Sequence, residues 1–232
     1  MSVKIQPTGD HALTVTFGDA IDESINKQVL SFFHFLQQQN IEGVKDFIPA
    51  YSSLTVVYDI VTIRQHHGIT AFEYMHNQIE NGLKNSNVEA EESTRLLHIP
   101  VCYDVSLGID LQEIALQKNI TIEEIIELHS ASTYRVYMIG FLPGFAYMGR
   151  VDKKITVPRK SVPRKNVDAG SVGIADFQTG IYPLNSPGGW NIIGQTPVLL
   201  FNKNYKEPCI LQPGDKVKFE PIGLEEFEDL KS

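Results

Sequence analysis

The stretch from Gly140 to Pro221 does most to restrict what this chain can fold into. Glycine or proline recurs there every few residues, and no helical pattern of useful length survives between those two positions. Proline fixes φ and removes a backbone donor, while glycine permits positive φ and close backbone approach. Such a segment can form only short strands joined by stiff, irregular loops. Strands are expected at Ser171–Ala175, Asn191–Ile193, Val198–Phe201 and Lys216–Pro221, and Tyr134–Ile139 ahead of them is β-prone. Two helices come earlier. One covers Asp110–Gln117; the other opens at Thr121, where Glu124 three residues on completes a capping box and Ile122, Ile125 and Ile126 form the apolar side. The second half therefore reads as a compact β-barrel or β-sandwich preceded by two helices.

The first hundred residues follow a different rhythm. His11, Leu13, Val15 and Phe17 alternate as a strand, and Ile25, Val29, Phe32, Phe33 and Leu36 recur at helical spacing across Glu23–Gln38. Strand-like runs follow at Val44–Ile48 and Leu54–Tyr58. A second amphipathic helix carries Ile69, Phe72, Met75, Ile79 and Leu83, and Leu97, Ile99 and Val101 alternate in a last strand. The order β-α-β-β-α-β predicts a ferredoxin-like arrangement. The fold class is thus α+β, with a ferredoxin-like N-terminal domain over residues 1–93 and a second domain over 94–232. The boundary falls near Thr94, and the polar segment Lys84–Ser93 is either the linker or the loop before the last strand.

A hydrophobic content of 42% and a charged content of 21% in 232 residues are those of a globular chain able to bury a core. The net charge of -8 argues against a general nucleic-acid binder, which needs a dominant basic field. The N-terminus lacks the pattern of an export signal, and no apolar run approaches the roughly 18 residues of a membrane span. Cys102 and Cys209 match no metal spacing. A cytoplasmic protein with reduced thiols is expected. Acidic residues at Glu89–Glu92 and Glu225–Asp229 read as solvated surface, whereas Lys153, Lys154, Arg159, Lys160, Arg164 and Lys165 form a local basic group inside the Gly/Pro-rich half.

No GxxxxGK[ST] phosphate loop is present, and no GxGxxG opens a helix. Ala169-Gly-Ser171-Val-Gly173 lacks the first glycine of a nucleophile elbow. His66–His67 lacks the further ligands of a zinc site. His129 ends a helix, where the dipole favours a protonated ring, and a packed or capping role there is commoner than a catalytic one. One dense block remains: Gly140-Phe-Leu-Pro-Gly-Phe145 with Tyr147, Pro158-Arg159, Pro163-Arg164, Gln178-Thr179-Gly-Ile-Tyr182-Pro183, Ser186-Pro187-Gly188-Gly189-Trp190 and Gly194-Gln-Thr-Pro197. Stiff loops lose little entropy on binding, aromatics such as Phe141, Phe145, Tyr147, Tyr182 and Trp190 make pocket walls, and Arg159 and Arg164 offer forked donors for carboxylates or phosphates. This combination reads as a binding surface.

At these residues the sequence resembles the KipI family of 5-oxoprolinase B subunits (PxpB), also called allophanate hydrolase subunit 1. The likeness rests on GFLPGFAYMG, PRKSVPR and AGSVGIADFQTGIYPLNSPGGWNIIGQTP, with His98–Tyr103, Glu127–Ser130 and Leu211–Ile222 on either side. Asp176-Phe177, where the family usually carries small residues, implies an altered loop tip. The resemblance implies a cyclophilin-like barrel as the second domain. It implies a companion of the KipA type, the C component of 5-oxoprolinase, and an A-type third component. Together these would open 5-oxo-L-proline to L-glutamate with ATP, by phosphorylation of the amide oxygen and attack of water. In that reading Arg159 and Arg164 clamp carboxylate or phosphate. His129 is a candidate acid–base group. Phe145, Tyr147, Gln178, Thr179, Tyr182, Pro187, Gly188, Gly189 and Trp190 line the substrate site. ATP is bound with the partners, no metal site is visible, and the chain alone is inactive. The alternative is inhibition of a sporulation sensor histidine kinase through the barrel. Prolyl isomerase activity would rest on fold analogy alone.

Overall fold

The computed structural model of the chain describes residues 3–86 and 95–231. The boundary expected near Thr94 and the acidic cluster Glu89–Glu92 lie outside the described residues. The chain forms two compact units, Met1–Glu92 and Ser93–Ser232.

The first unit contains β1 (Lys4–Pro7), β2 (Ala12–Thr16), α1 (Glu23–Gln37), β3 (Val44–Pro49), β4 (Ser53–Tyr58), α2 (Ile60–His66) and α3 (Ala71–Asn85). Its sheet has the order β1-β2-β4-β3, antiparallel throughout. The period-two pattern of β2 and β4 turns Leu13, Val15, Leu54 and Val56 inward, all without exposure. The apolar stripes of α1 and α3, including Val29, Phe32, Leu36, Met75 and Ile79, join the same core. Local chemistry starts each helix where the sequence changes texture. Asp22 accepts from the amides of Ser24 and Ile25 at the start of α1, and Thr70 forms a capping box with Glu73 at the start of α3.

The second unit contains β5 (Leu96–Cys102), α4 (Leu111–Lys118), α5 (Ile122–Ala131), β6 (Thr133–Ile139), β7 (Ala146–Gly149), a 3-10 turn at Lys153–Ile155, β8 (Arg164–Val167), β9 (Ser171–Ala175), β10 (Gln178–Ile181), β11 (Ser186–Gly188), β12 (Asn191–Gln195), β13 (Lys216–Ile222) and α6 (Leu224–Lys231). Seven strands close a barrel in the order β10-β7-β6-β13-β5-β12-β9, consistent with a cyclophilin-like barrel. β5 and β13 run parallel, from Leu96 opposite Lys216 to Cys102 opposite Ile222. Inside lie Ile99, Val101, Tyr134, Val136, Met148, Val172, Ile174, Ile193 and Phe219. β8 and β11 form a separate two-stranded ribbon.

Two expectations need correction. The strand expected to complete a ferredoxin-like domain, Leu97–Val101, is β5 of the barrel, and the first sheet is edged instead by β1. Alternation identifies a strand but carries no information on which sheet receives it. Val198–Phe201 makes no strand; it contributes only an isolated bridge from Phe201 to Cys209. The acidic residues of the tail Glu225–Asp229 are exposed as expected, on a helix, α6, that places Phe227 between them at zero exposure.

α6 packs against β5, so Phe227 is its anchor. Phe227→Ala should destabilise the second unit by about 3–5 kcal/mol. Glu226→Ala, on the exposed side, should change stability by less than about 0.5 kcal/mol. Urea denaturation followed by the fluorescence of Trp190 measures both, and equal midpoints would remove Phe227 as the anchor.

Candidate functional site

The connection between β6 and β7 turns on two residues of positive φ, Phe141 at 66° and Gly144 at 84°. This brings Phe145 under the barrel rim and leaves Phe141 61% exposed at the lip. Phe145 meets Trp190 edge-to-face at 5.4 Å and Tyr182 at 5.2 Å, and Tyr147 stands 5.9 Å from Trp190. The Pro158–Pro163 loop supplies Arg159 and Pro163 on the other side. Together with Pro187, Gly188 and Gly189 they bound a cleft of about 220 Å³. Gly188 is needed because any Cβ there would lie 2.7 Å from the Cζ of Tyr182.

The Pro158–Pro163 loop is held from beneath. Asp110, 2% exposed, accepts from Arg164 Nη2 at 2.5 Å, from Lys160 Nζ at 2.9 Å and from the Ile192 amide at 2.6 Å. Lys160 also meets Glu113 at 2.5 Å, and its amide donates to the Gly189 carbonyl at 2.8 Å. Asn191 Nδ2 donates to the Pro158 carbonyl at 2.8 Å. Arg159, between these fixings, is exposed, with its guanidinium 5.7 Å from the centre of the Trp190 ring. Among the described residues no carboxylate pairs with it.

Eight expected site residues therefore share one cleft: Phe145, Tyr147, Arg159, Tyr182, Pro187, Gly188, Gly189 and Trp190. Four do not line it. Arg164 is committed to Asp110 and to the Trp190 carbonyl at 3.4 Å, so it braces the wall instead of facing a ligand. Gln178 sits half-buried on β10, opposite Gly149 and Ala175. Thr179 and His129 lie in the barrel core, both at zero exposure. Phe141 and Pro163 complete the lining, while Asp110 and Glu113 escaped the sequence reading because nothing local marks their long-range partners.

His129 shows why position on a helix misleads. Thr179 Oγ1 donates to the Gly173 carbonyl at 3.1 Å, so its 2.9 Å contact with His129 Nε2 requires that nitrogen to carry the proton. Nδ1 then accepts from the Tyr103 hydroxyl at 2.7 Å. The ring stacks on Phe219 at 4.7 Å, and burial pushes its pKa down to about 3. It is a neutral core histidine with both nitrogens used, not an acid–base group. At the cleft, burial raises the pKa of Tyr147 and Tyr182, while Arg159 acts in the opposite sense on both. Both stay protonated at neutral pH and can donate.

Among the described residues no group of three or more His, Cys, Asp or Glu could hold a metal ion. No described helix is long and apolar enough to cross a membrane.

The chain, first unit and barrel alike, matches the sequence model of the family described as "Carboxyltransferase domain, subdomain C and D" over residues 3–211. The chain is 40% identical to the 5-oxoprolinase B subunit of Bacillus subtilis, over 98% of this chain and 96% of that protein. It is 36% identical to the protein of the same name from Haemophilus influenzae, over 96% and 100%. The crystal structure of TTHA0988 superposes with a TM-score of 0.79 at 33% identity, over 91% of this chain and 40% of that one. Urea carboxylase of Kluyveromyces lactis shares the fold at 18% identity with a TM-score of 0.75, over 98% of this chain and 22% of that one. Within the carboxyltransferase-domain class, the chain belongs to the family of 5-oxoprolinase B subunits.

Two outcomes test this geometry. Asp110→Ala removes the common acceptor of Arg164, Lys160 and Ile192. Because both cations are partly exposed, the expected loss is about 1.5–3 kcal/mol, with a shift of Trp190 emission as the loop detaches. Unchanged emission would show that the wall stands without Asp110. His129 binds a proton more weakly folded than unfolded, so its contribution is full above about pH 6.5 and is lost as pH falls toward about 3. Between pH 6.5 and 5 the wild type should lose about 1.6 kcal/mol more than His129→Gln, the slope rising toward about 1.4 kcal/mol per pH unit as the unfolded ring becomes fully protonated. Equal losses in urea titrations would show that the ring is not held neutral.

Proposed function

We propose that this chain is the B component of an ATP-dependent 5-oxoprolinase that opens 5-oxo-L-proline to L-glutamate, working only with companions of the A and C types. The observation that carries this reading is 40% identity to a 5-oxoprolinase B subunit, along nearly the whole of both chains. The cleft supports it. Its volume of about 220 Å³ lies below the roughly 300–1,000 Å³ of drug-sized ligand sites, so it suits a small ring. Arg159 is the cation left free to receive the substrate carboxylate. Trp190, Phe145 and Tyr147 would flank the ring, and the phenols of Tyr147 and Tyr182 could donate to the lactam oxygen. A nucleotide does not fit this cleft, and the sequence holds no phosphate loop, so ATP is assigned to a site completed by the companions. The general base is assigned there as well, since His129 is sealed in the core. Residues 1–93 and 94–232 are taken as the two domains, and the cytoplasm as the compartment.

The reading is tested by mixing the three purified components and following glutamate release. The chain alone should release none; turnover by the isolated chain would overturn its dependence on partners. Arg159→Ala should lower kcat/KM by about 10- to 100-fold, mostly through KM, as expected for a lost charged hydrogen bond. Trp190→Ala should also lower it. Unchanged rates in both variants would place the substrate elsewhere.

A further inference from the structure

We propose that the first unit carries a second small-molecule site, which binds a free α-amino acid between the Gly9–Asp10 turn, the end of α2 and the first turn of α3. A cavity of about 730 Å³ opens there, walled by Asp10, Tyr58, Arg64, Thr70, Ala71 and Phe72 among others. It is remote in sequence from the aromatic cleft and does not depend on the function proposed above.

The observation that points to a ligand is Tyr58. Its side chain lines the cavity at 2% exposure, and its hydroxyl is the buried side-chain polar atom that finds no partner among the described residues. A buried hydroxyl left unmade is costly, so a group that reached it would recover that cost. Burial, with the Asp10 carboxylate nearby, raises its pKa and keeps it a protonated donor.

The surrounding charges say what the occupant must carry. Three charged side chains besides His67 line the cavity: Arg64 and Asp10, neither with an ion-pair partner among the described residues, and Glu73, whose carboxylate is taken up by the Thr70 amide and hydroxyl. The capping box uses the amides of Thr70 and Glu73 and leaves those of Ala71 and Phe72 at the positive end of a 15-residue helix. The lining therefore offers a carboxylate the Arg64 guanidinium and the α3 amides, and offers an ammonium the Asp10 carboxylate. A simple anion would satisfy the first and be repelled by the second. His67 is part of the wall and not a free ligand, because Nε2 meets Glu42 at 3.1 Å and its ring stacks on Tyr74 at 4.0 Å. A recess of about 310 Å³ over Phe72 and His76 shares Ile69, Phe72 and Glu73 with the cavity and gives room for a side chain.

The test is amide NMR of the full chain titrated with L-alanine, L-glutamate, propionate and inorganic phosphate, read at Gly9, Gly68, Ala71 and Phe72. Both amino acids should shift these amides saturably, while propionate and phosphate bind at least about 10-fold more weakly. Tyr58→Phe should weaken L-alanine about 5-fold and Asp10→Asn about 10-fold or more, with folding checked by the unshifted remainder of the spectrum. No shift with either amino acid overturns the proposal. So does equal binding of propionate or phosphate, or unchanged affinity in both variants.

Discussion

The parallel pairing of β5 with β13 is the constraint on which the second unit depends. The two strands open and nearly close that unit in sequence, and their seven registered pairs join its beginning to its end. Without that pairing β5 and β13 would be the free edges of an open sheet, exposing unpaired backbone groups. Closure is what turns Ile99, Val101, Val217 and Phe219 onto a common interior and seals His129 among them. It also fixes the rim on which the β6–β7 connection stands, so the aromatic cleft inherits its shape from a contact made far from it.

The same pairing explains where sequence reasoning succeeds and where it stops. Ser171–Ala175, the helix over Asp110–Gln117 and the Thr121–Glu124 capping box are visible because their causes are local: small residues in a strand, apolar spacing and a side chain three residues from its amide. β1, with the sequence KIQP and only Ile5 half-buried, has no pattern to see. Leu97–Val101 is readable as a strand, yet its partner lies about 120 residues on, beyond the reach of any periodicity. The tail shows both sides of this: its acidic residues are exposed as their composition suggests, while the burial of Phe227 among them depends on β5, far away in sequence.

In the cleft the chemistry is legible as residue types and illegible as roles. The paired Pro-Arg dipeptides look equivalent in sequence, but a single carboxylate distinguishes them. Asp110 lies beneath the loop and takes Arg164 and Lys160, which converts two cations into fixings for the wall. Arg159, directly before Lys160 in the chain, is left beside Trp190. Proline at 158 and 163 keeps the loop from collapsing inward, where a second arginine could compete for Asp110. One bound cation and one free one therefore arise from the same short motif.

That division bears on how a chain with an overall charge of -8 can present a local positive site, as the proposed carboxylate contact requires. What a ligand meets is not the net charge but the few charges left unpaired within a Debye length, about 8 Å at physiological salt. Lys160 and Arg164 contribute little field because Asp110 and Glu113 answer them at contact distance. Among the described residues Arg159 has no such answer, and the aromatic walls beside it leave fewer waters on its inner side than on its exposed one. Adding an acidic residue elsewhere on the surface would leave the local potential nearly unchanged. A carboxylate within reach of Arg159 would cancel it, so the potential in this cleft is set by its immediate neighbours more than by the composition of the chain.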